Sequence, residues 1–279
     1  MIRIHFQHFL KAVLLASFAL FFIKLHVTGN IANYINPKYD LMSLIAAWVF
    51  IILFFIQLFR IWEGEHVHEH CSPSCSHDHD GGGIARKIIN YMVIVFPLIT
   101  GFAFSPTILN ASIAANKGPV LPHLSHGENH TEVIDNENYM VEEEYEQKLA
   151  SLGDLEQIEM TADMFSSYHG EMLSNPEDFV GRKIRLSGFV YREQGIAENQ
   201  LILSRFLITH CIADASVLGM LTEFSQVPDL KEDTWLELEG ILDMKMLNGV
   251  VIPVIHASNW KVIDEPQDPY VYPVLVKIL

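Results

Sequence analysis

Between Glu65 and Gly83 the sequence reads Glu-His-Val-His-Glu-His-Cys-Ser-Pro-Ser-Cys-Ser-His-Asp-His-Asp-Gly-Gly-Gly, which gathers five histidines, two cysteines and four carboxylates into nineteen residues. Imidazole nitrogen and thiolate sulfur are the ligands that zinc and other late first-row metals prefer. His66, His68 and His70 alternate, as do His77 and His79, so an extended backbone carries each set on one side. Cys71 and Cys75 flank Pro73, and a turn there brings the two sulfurs together. The glycines at 81–83 argue against a rigid preformed centre, so metal binding would be loose, multivalent or coupled to ordering. The sequence has no His-Glu-x-x-His pattern, and buffering, sensing or handing over a metal suits the tract better than hydrolysis. The plain alternative is a solvated loop, because a His-rich tract is a compositional signal and not a defined site.

A second group comprises Arg205, His210, Cys211 and Asp214, at the end of an expected strand. A His-Cys pair with a carboxylate three residues on offers ligands to a metal, and a thiol beside an imidazole is the germ of a nucleophile. The competing reading makes Cys211 a small apolar filler and Asp214 the cap of a following helix. No third catalytic member is identifiable, so no enzyme is predicted. A weaker group, His123, His126 and His130 with Glu128 and Glu132, sits in a polar stretch that reads as a spacer.

The elements that must carry these residues divide the chain in two. Three apolar stretches, at about 6–27, 42–62 and 88–109, read as transmembrane helices within a membrane region spanning 1–116, with the His/Cys loop at 63–83 between the second and third. The second, at 1.5 Å per residue, covers about 32 Å and matches the hydrocarbon thickness. The third carries Pro97, Gly101 and Pro106, which kink a helix and let neighbours approach. Arg3 and Lys11 precede or open the first stretch, Arg60, Arg86 and Lys87 flank the His/Cys loop, and only Lys38, with Lys24, lies near the first connection. That bias places the amino terminus and the His/Cys loop in the cytoplasm and the carboxyl-terminal domain outside the cell.

Charge follows the same division. Before Gly118 there are eight Lys and Arg against six Asp and Glu, a net of +2, whereas from Gly118 onward there are ten against 28, a net of −18. So acidic a surface repels phosphate backbones, which excludes a nucleic-acid partner and favours cations or basic proteins. Residues 117–160, rich in Glu and Asn, read as an acidic linker. From 161 to 279 the period changes to that of strands after a short helix near Ser166 that ends before Asn175-Pro176. Strands are expected at 182–191, 200–209, 234–244 and 250–257, with a turn at Asn248-Gly249, a fifth strand at 259–263 and a helical crossing segment near 215–224. This pattern predicts a small soluble β-barrel of the OB type, with Phe189, Tyr191, Phe206 and Trp235 in its core.

Several of these residues together resemble the YcgQ-like family of permease subunits found in Gram-positive bacteria. The likeness rests on Pro97, Gly101 and Pro106, on Asn175-Pro176 through Gly181-Arg182-Lys183-Ile184 to Gly188, on Arg205-Phe206 through His210-Cys211 to Ala213-Asp214-Ala215, and on Glu265-Pro266 to Pro269-Tyr270-Val271-Tyr272-Pro273. Members tend to show Cys-Cys where this chain has His210-Cys211. The resemblance implies an accessory subunit beside a separate polytopic permease in the bilayer, with a link to zinc or other metal homeostasis. A membrane-anchored metal sensor or buffer acting alone is the alternative.

Overall fold

The structure is a computed structural model and describes residues 6–62, 84–104, 108–117, 139–226, 229–247 and 249–277. The chain forms two compact units, one comprising 1–33 and 39–107, the other 34–38 and 108–279.

The first unit is helical. α1 (Phe6–Val27) and α2 (Asp40–Trp62) are both long and apolar enough to cross a membrane, and α3 (Ile84–Ala103) has a shorter apolar stretch at Ile89–Ala103. α3 begins four residues before the expected start and ends six residues short of the expected 109, ahead of Pro106, whose ring opposes helical backbone in the residue before it. The ring of Phe50 on α2 stacks on Phe18 and Phe22 of α1 at 5.4 and 5.9 Å between centroids. Gly101 of α3 has no Cβ where one would lie 2.7 Å from the Phe21 ring, and that absence lets α1 and α3 meet there. Polar contacts close the α1–α2 pair at both ends: His8 Nδ1 with Gln57 Nε2, and His26 Nε2 with Ser43 Oγ at 2.8 Å. Trp48, Phe59, Met92 and Phe96 remain largely exposed.

The second unit is a mixed sheet with helices. Besides residues 34–38 it takes in everything from Ile108, not only from 161, and that continuous part opens with α4 (Ala111–Asn116). There follow β1 (Tyr139–Val141), α5 (Glu142–Leu152), β2 (Gln157–Glu159) and α6 (Phe165–Ser174). The described part of the expected linker is therefore folded: β2 runs parallel to the sheet, and Leu152 and Ile158 have no exposed surface. Leu149, Leu152, Leu155 and Ile158 recur every third residue through the acidic stretch, a pattern that average composition conceals.

Five strands then close on themselves. β3 (Lys183–Tyr191) pairs antiparallel with both β4 (Gln200–Leu207) and β6 (Trp235–Leu247); β4 pairs antiparallel with β5 (Ser216–Glu223), β5 parallel with β7 (Val250–Val262), and β7 antiparallel with β6. The helix expected near 215–224 is instead β5, because eight residues of pairing with β4 override the local preference of a short apolar run. The strand expected at 259–263 is continuous with β7, past a register shift opposite Glu239/Gly240. β8 (Tyr270–Val271) adds to β4, and β9 (Leu275–Lys277) pairs parallel with β1.

Alternation on these strands produces two buried clusters. Ile184, Leu186, Leu203 and Leu238 pack with Phe165 and Met172 of α6, while Phe189, Phe206 and Trp235 pack with Leu109, Ala114 and Tyr270. His169 of α6 is 5% exposed, and its Nε2 donates to Gly219 O at 3.1 Å. Burial holds this imidazole below its usual range and keeps it neutral. The unfolded chain takes up a proton near pH 6.5, before the folded one does, so the contribution of His169 is whole above that pH and is lost as the pH falls below it. Melting at pH 7.5 and pH 5.5 should show a smaller acid shift for His169→Gln than for the parent; equal shifts would assign the acid sensitivity elsewhere.

Candidate functional site

Of the residues singled out for their chemistry, His210, Cys211 and Asp214 are described and adjacent. β4 ends at Leu207, and Cys211 opens a single 3-10 turn, Ile212–Asp214. The Asp214 carboxylate accepts from the backbone N–H of His210 at 2.9 Å and of Cys211 at 3.3 Å, while the Cys211 sulfur accepts from the Asp214 N–H. Asp214 thus caps its own turn, and the next element is β5, not a helix. The same carboxylate lies 2.9 Å from His210 Nδ1 and so sets the orientation of the ring. An imidazole oriented by a carboxylate is the support that metal-binding histidines use. Among the described residues, however, no three His, Cys, Asp or Glu side chains are placed to hold one ion. Asp214 is already committed to three N–H groups, so this trio does not make a closed metal centre by itself.

Arg205 does not join them. Its side chain is 4% exposed and donates to the carbonyls of Asp268 at 2.8 Å, Pro269 at 3.1 Å and Tyr270 at 3.4 Å, and to Ser187 Oγ at 3.3 Å. The guanidinium lies 5.3 Å from the Trp235 ring centroid and 5.9 Å from that of Phe165. Its partners are structural: Arg205 ties the carboxyl-terminal segment to the sheet.

The surroundings of the turn contain what sequence reasoning missed. Tyr34–Lys38, from the connection between α1 and α2, belongs to the β unit, and Ile35 forms an antiparallel bridge with Cys211. Asn36 is 1% exposed; its amide nitrogen donates to the carbonyls of Ile208 at 3.2 Å and Thr209 at 3.0 Å, and its backbone N–H donates to His210 O at 3.0 Å. The Ile212 N–H donates to Tyr34 O at 2.8 Å. Nothing about a lone Asn-Pro in a short loop reveals a partner more than 170 residues away. The remaining ligand candidates, His66, His68, His70, Cys71, Cys75, His77 and His79, lie outside the described residues, as do His123, His126 and His130.

Comparison with known proteins covers both units. The DUF1980 N-terminal domain matches residues 10–119 and the DUF1980 C-terminal domain residues 135–273. The chain is 32% identical to UPF0703 protein YcgQ of Bacillus subtilis (strain 168), over 94% of this chain and 98% of that protein. It is 25% identical, with the same coverage of each, to a Streptococcus mutans serotype c protein described as "Putative two-component membrane permease complex subunit".

Proposed function

The chain belongs to the DUF1980 family, and from that premise we propose that it is a non-catalytic, accessory subunit of a two-component membrane permease, acting beside a polytopic subunit. The observation that carries this reading is the likeness to a relative described as a membrane permease complex subunit, which extends over 94% of the chain and so takes in both units. The helices agree with an accessory role: Lys11, Lys24 and Arg60 lie toward the ends of α1 and α2, leaving little ionisable lining for a transport path.

On this reading all three helices span the bilayer and the His/Cys loop faces the cytoplasm. Two observations support it. Lys and Arg favour an inside amino terminus. Residues 34–38 also share a folded unit with 108–279, so an even number of crossings separates them; α2 supplies one, and α3 is the helix available for the other. The outer unit is an OB-like barrel in this proposal, supported by the cyclic pairing β3-β4-β5-β7-β6-β3 and the parallel β5–β7 pair; none of the described residues between β5 and β6 is helical. Zinc or a similar metal is the cargo or signal, a role supported by the composition of the His/Cys loop.

Affinity purification from native membranes tests the assignment: a polytopic partner should co-purify at a fixed ratio, and recovery of this chain alone would overturn it. Elemental analysis of the purified protein should find zinc that disappears when residues 65–80 are removed. Equal metal content in both forms would remove metal from the account and leave the permease assignment standing.

A further inference from the structure

The β6–β7 ribbon ends in an apolar surface that the barrel does not use. Met244 pairs with Pro253 and Met246 with Val251, so these four side chains share one face, while Lys245, Leu247, Val250 and Ile252 share the other. The second face is occupied: Leu247, Val250 and Ile252 pack in the cluster that holds Ile108, Leu109 and Ile212, and Lys245 Nζ donates to Glu223 Oε2 at 3.1 Å. On the first face Met244, Met246 and Val251 are 47, 70 and 41% exposed. From Gly118 onward the net charge is −18, and an uncharged face with two flexible thioethers in so acidic a unit suits an apolar partner.

What lies within reach of this face is set by the chain itself. Tyr34–Lys38 belongs to the β unit and bonds to residues 208–212, and it overlaps the apolar span Pro37–Ile61. Ile108, where the unit resumes, follows the last residue of α3 by five residues, a tether of at most about 18 Å. Both attachments lie at the end of the barrel where the ribbon ends. Counted back from Leu221 and Val254, the parallel β5–β7 pair sets Val250 beside Val217, whose partner on β4 is Phe206; Ile108 packs in the same cluster. The ribbon end therefore stays near the points where the chain enters the bilayer, whatever the tilt of the β unit. We infer that the face of Met244, Met246 and Val251 enters the headgroup and upper acyl region of the bilayer, with neutral phospholipid as its partner. Apolar burial drives the contact, and anionic lipid would oppose it by repelling the acidic unit. The inference rests on the reading that α2 spans the bilayer and needs no permease partner.

Depth-dependent fluorescence quenching tests it on the full chain. With Cys71, Cys75 and Cys211 replaced by serine, the single substitutions Met246→Cys, Val251→Cys, Ile52→Cys and Val262→Cys each carry an environment-sensitive fluorophore in phosphatidylcholine vesicles, with or without phosphatidylcholine that bears a nitroxide high on its acyl chain. Ile52, exposed within α2, reports the spanning helix, and Val262, exposed at the far end of β7, reports the opposite end of the barrel. The nitroxide should lower emission at Met246 and Val251 about two-fold or more, as at Ile52, and leave Val262 nearly unchanged. Quenching at Ile52 with none at Met246 and Val251 would overturn the inference and leave the spanning helix standing, whereas none at Ile52 would remove both. Equal quenching at Val262, or a blue-shifted probe at Met246 that the nitroxide does not reach, would also overturn it, the latter because protein and not lipid then covers the face. Should Met246→Cys fail to fold, judged by lost protease resistance, Val251→Cys and Met244→Cys give the same readout.

Discussion

Replacing Arg205 with alanine should lower the unfolding midpoint of the β unit by roughly 6–12 °C, the shift that about 3 kcal/mol produces in a domain of this size. Burial brings the guanidinium down to about 10, yet it stays charged at neutral pH and satisfies three carbonyls of the segment Asp268–Tyr270 together with the Ser187 hydroxyl. Alanine would leave those acceptors buried without donors, each at about 1–3 kcal/mol, and would open a cavity between the rings of Trp235 and Phe165. Lysine at this position keeps the charge but not the planar fork, so Arg205→Lys should recover only a minor part of the loss. Thermal scans of the detergent-solubilised protein, with proteolysis around residues 264–274 as a local readout, measure both. An Arg205→Ala protein melting within 2 °C of the parent would show that these bonds are not what holds the carboxyl-terminal segment down.

The second large effect is expected at Gly240, where β6 changes register against β7. A Cβ there would lie 2.5 Å from His256 O and 2.5 Å from Ile255 Cγ2. A backbone carbonyl inside a ladder cannot swing aside as the tip of a flexible side chain does, so relief requires moving the strand. Gly240→Ala should cost about 1–3 kcal/mol, the usual range for overpacking, and Gly240→Val more. Gly170 on α6 is the control: nothing stands within 4 Å of its would-be Cβ, and alanine is the better helix former. Gly170→Ala should therefore leave the melting point unchanged or raise it, and a loss equal to that of Gly240→Ala would refute the steric argument.

How far the fold could be read in advance depended on how local its causes are. The alternation in Lys183–Tyr191, the helix stopped by Asn175-Pro176 and the turn that holds Gly249 were legible, and Gly249 does adopt φ +87°. Phe189, Tyr191, Phe206 and Trp235 are buried as their strand positions suggested. β5 was misread because Ser-Val-Leu-Gly-Met-Leu-Thr-Glu suits either state in isolation, and only its pairing with β4 and β7 decides. α5 and β2 were hidden by the glutamates around their apolar residues. In the candidate site, the nearness of His210, Cys211 and Asp214 was plain from spacing alone. The separation of Arg205 from them was not, since odd and even positions of β4 face different clusters, and Asn36 left no local signal at all.

The attachment of Asn36 to the carbonyls of Ile208, Thr209 and His210 bears on how the protein is made. Tyr34–Lys38 leaves the ribosome roughly 170 residues ahead of the turn it must meet, a delay on the order of ten to thirty seconds at about 5–20 residues per second. Until translation reaches Ile212, and until both stretches have been delivered to the same compartment, the early segment waits with its donors and acceptors unmatched. Finishing the β unit therefore depends on the two stretches meeting, and a chain that keeps them apart leaves the backbone groups of residues 208–212 without their partners.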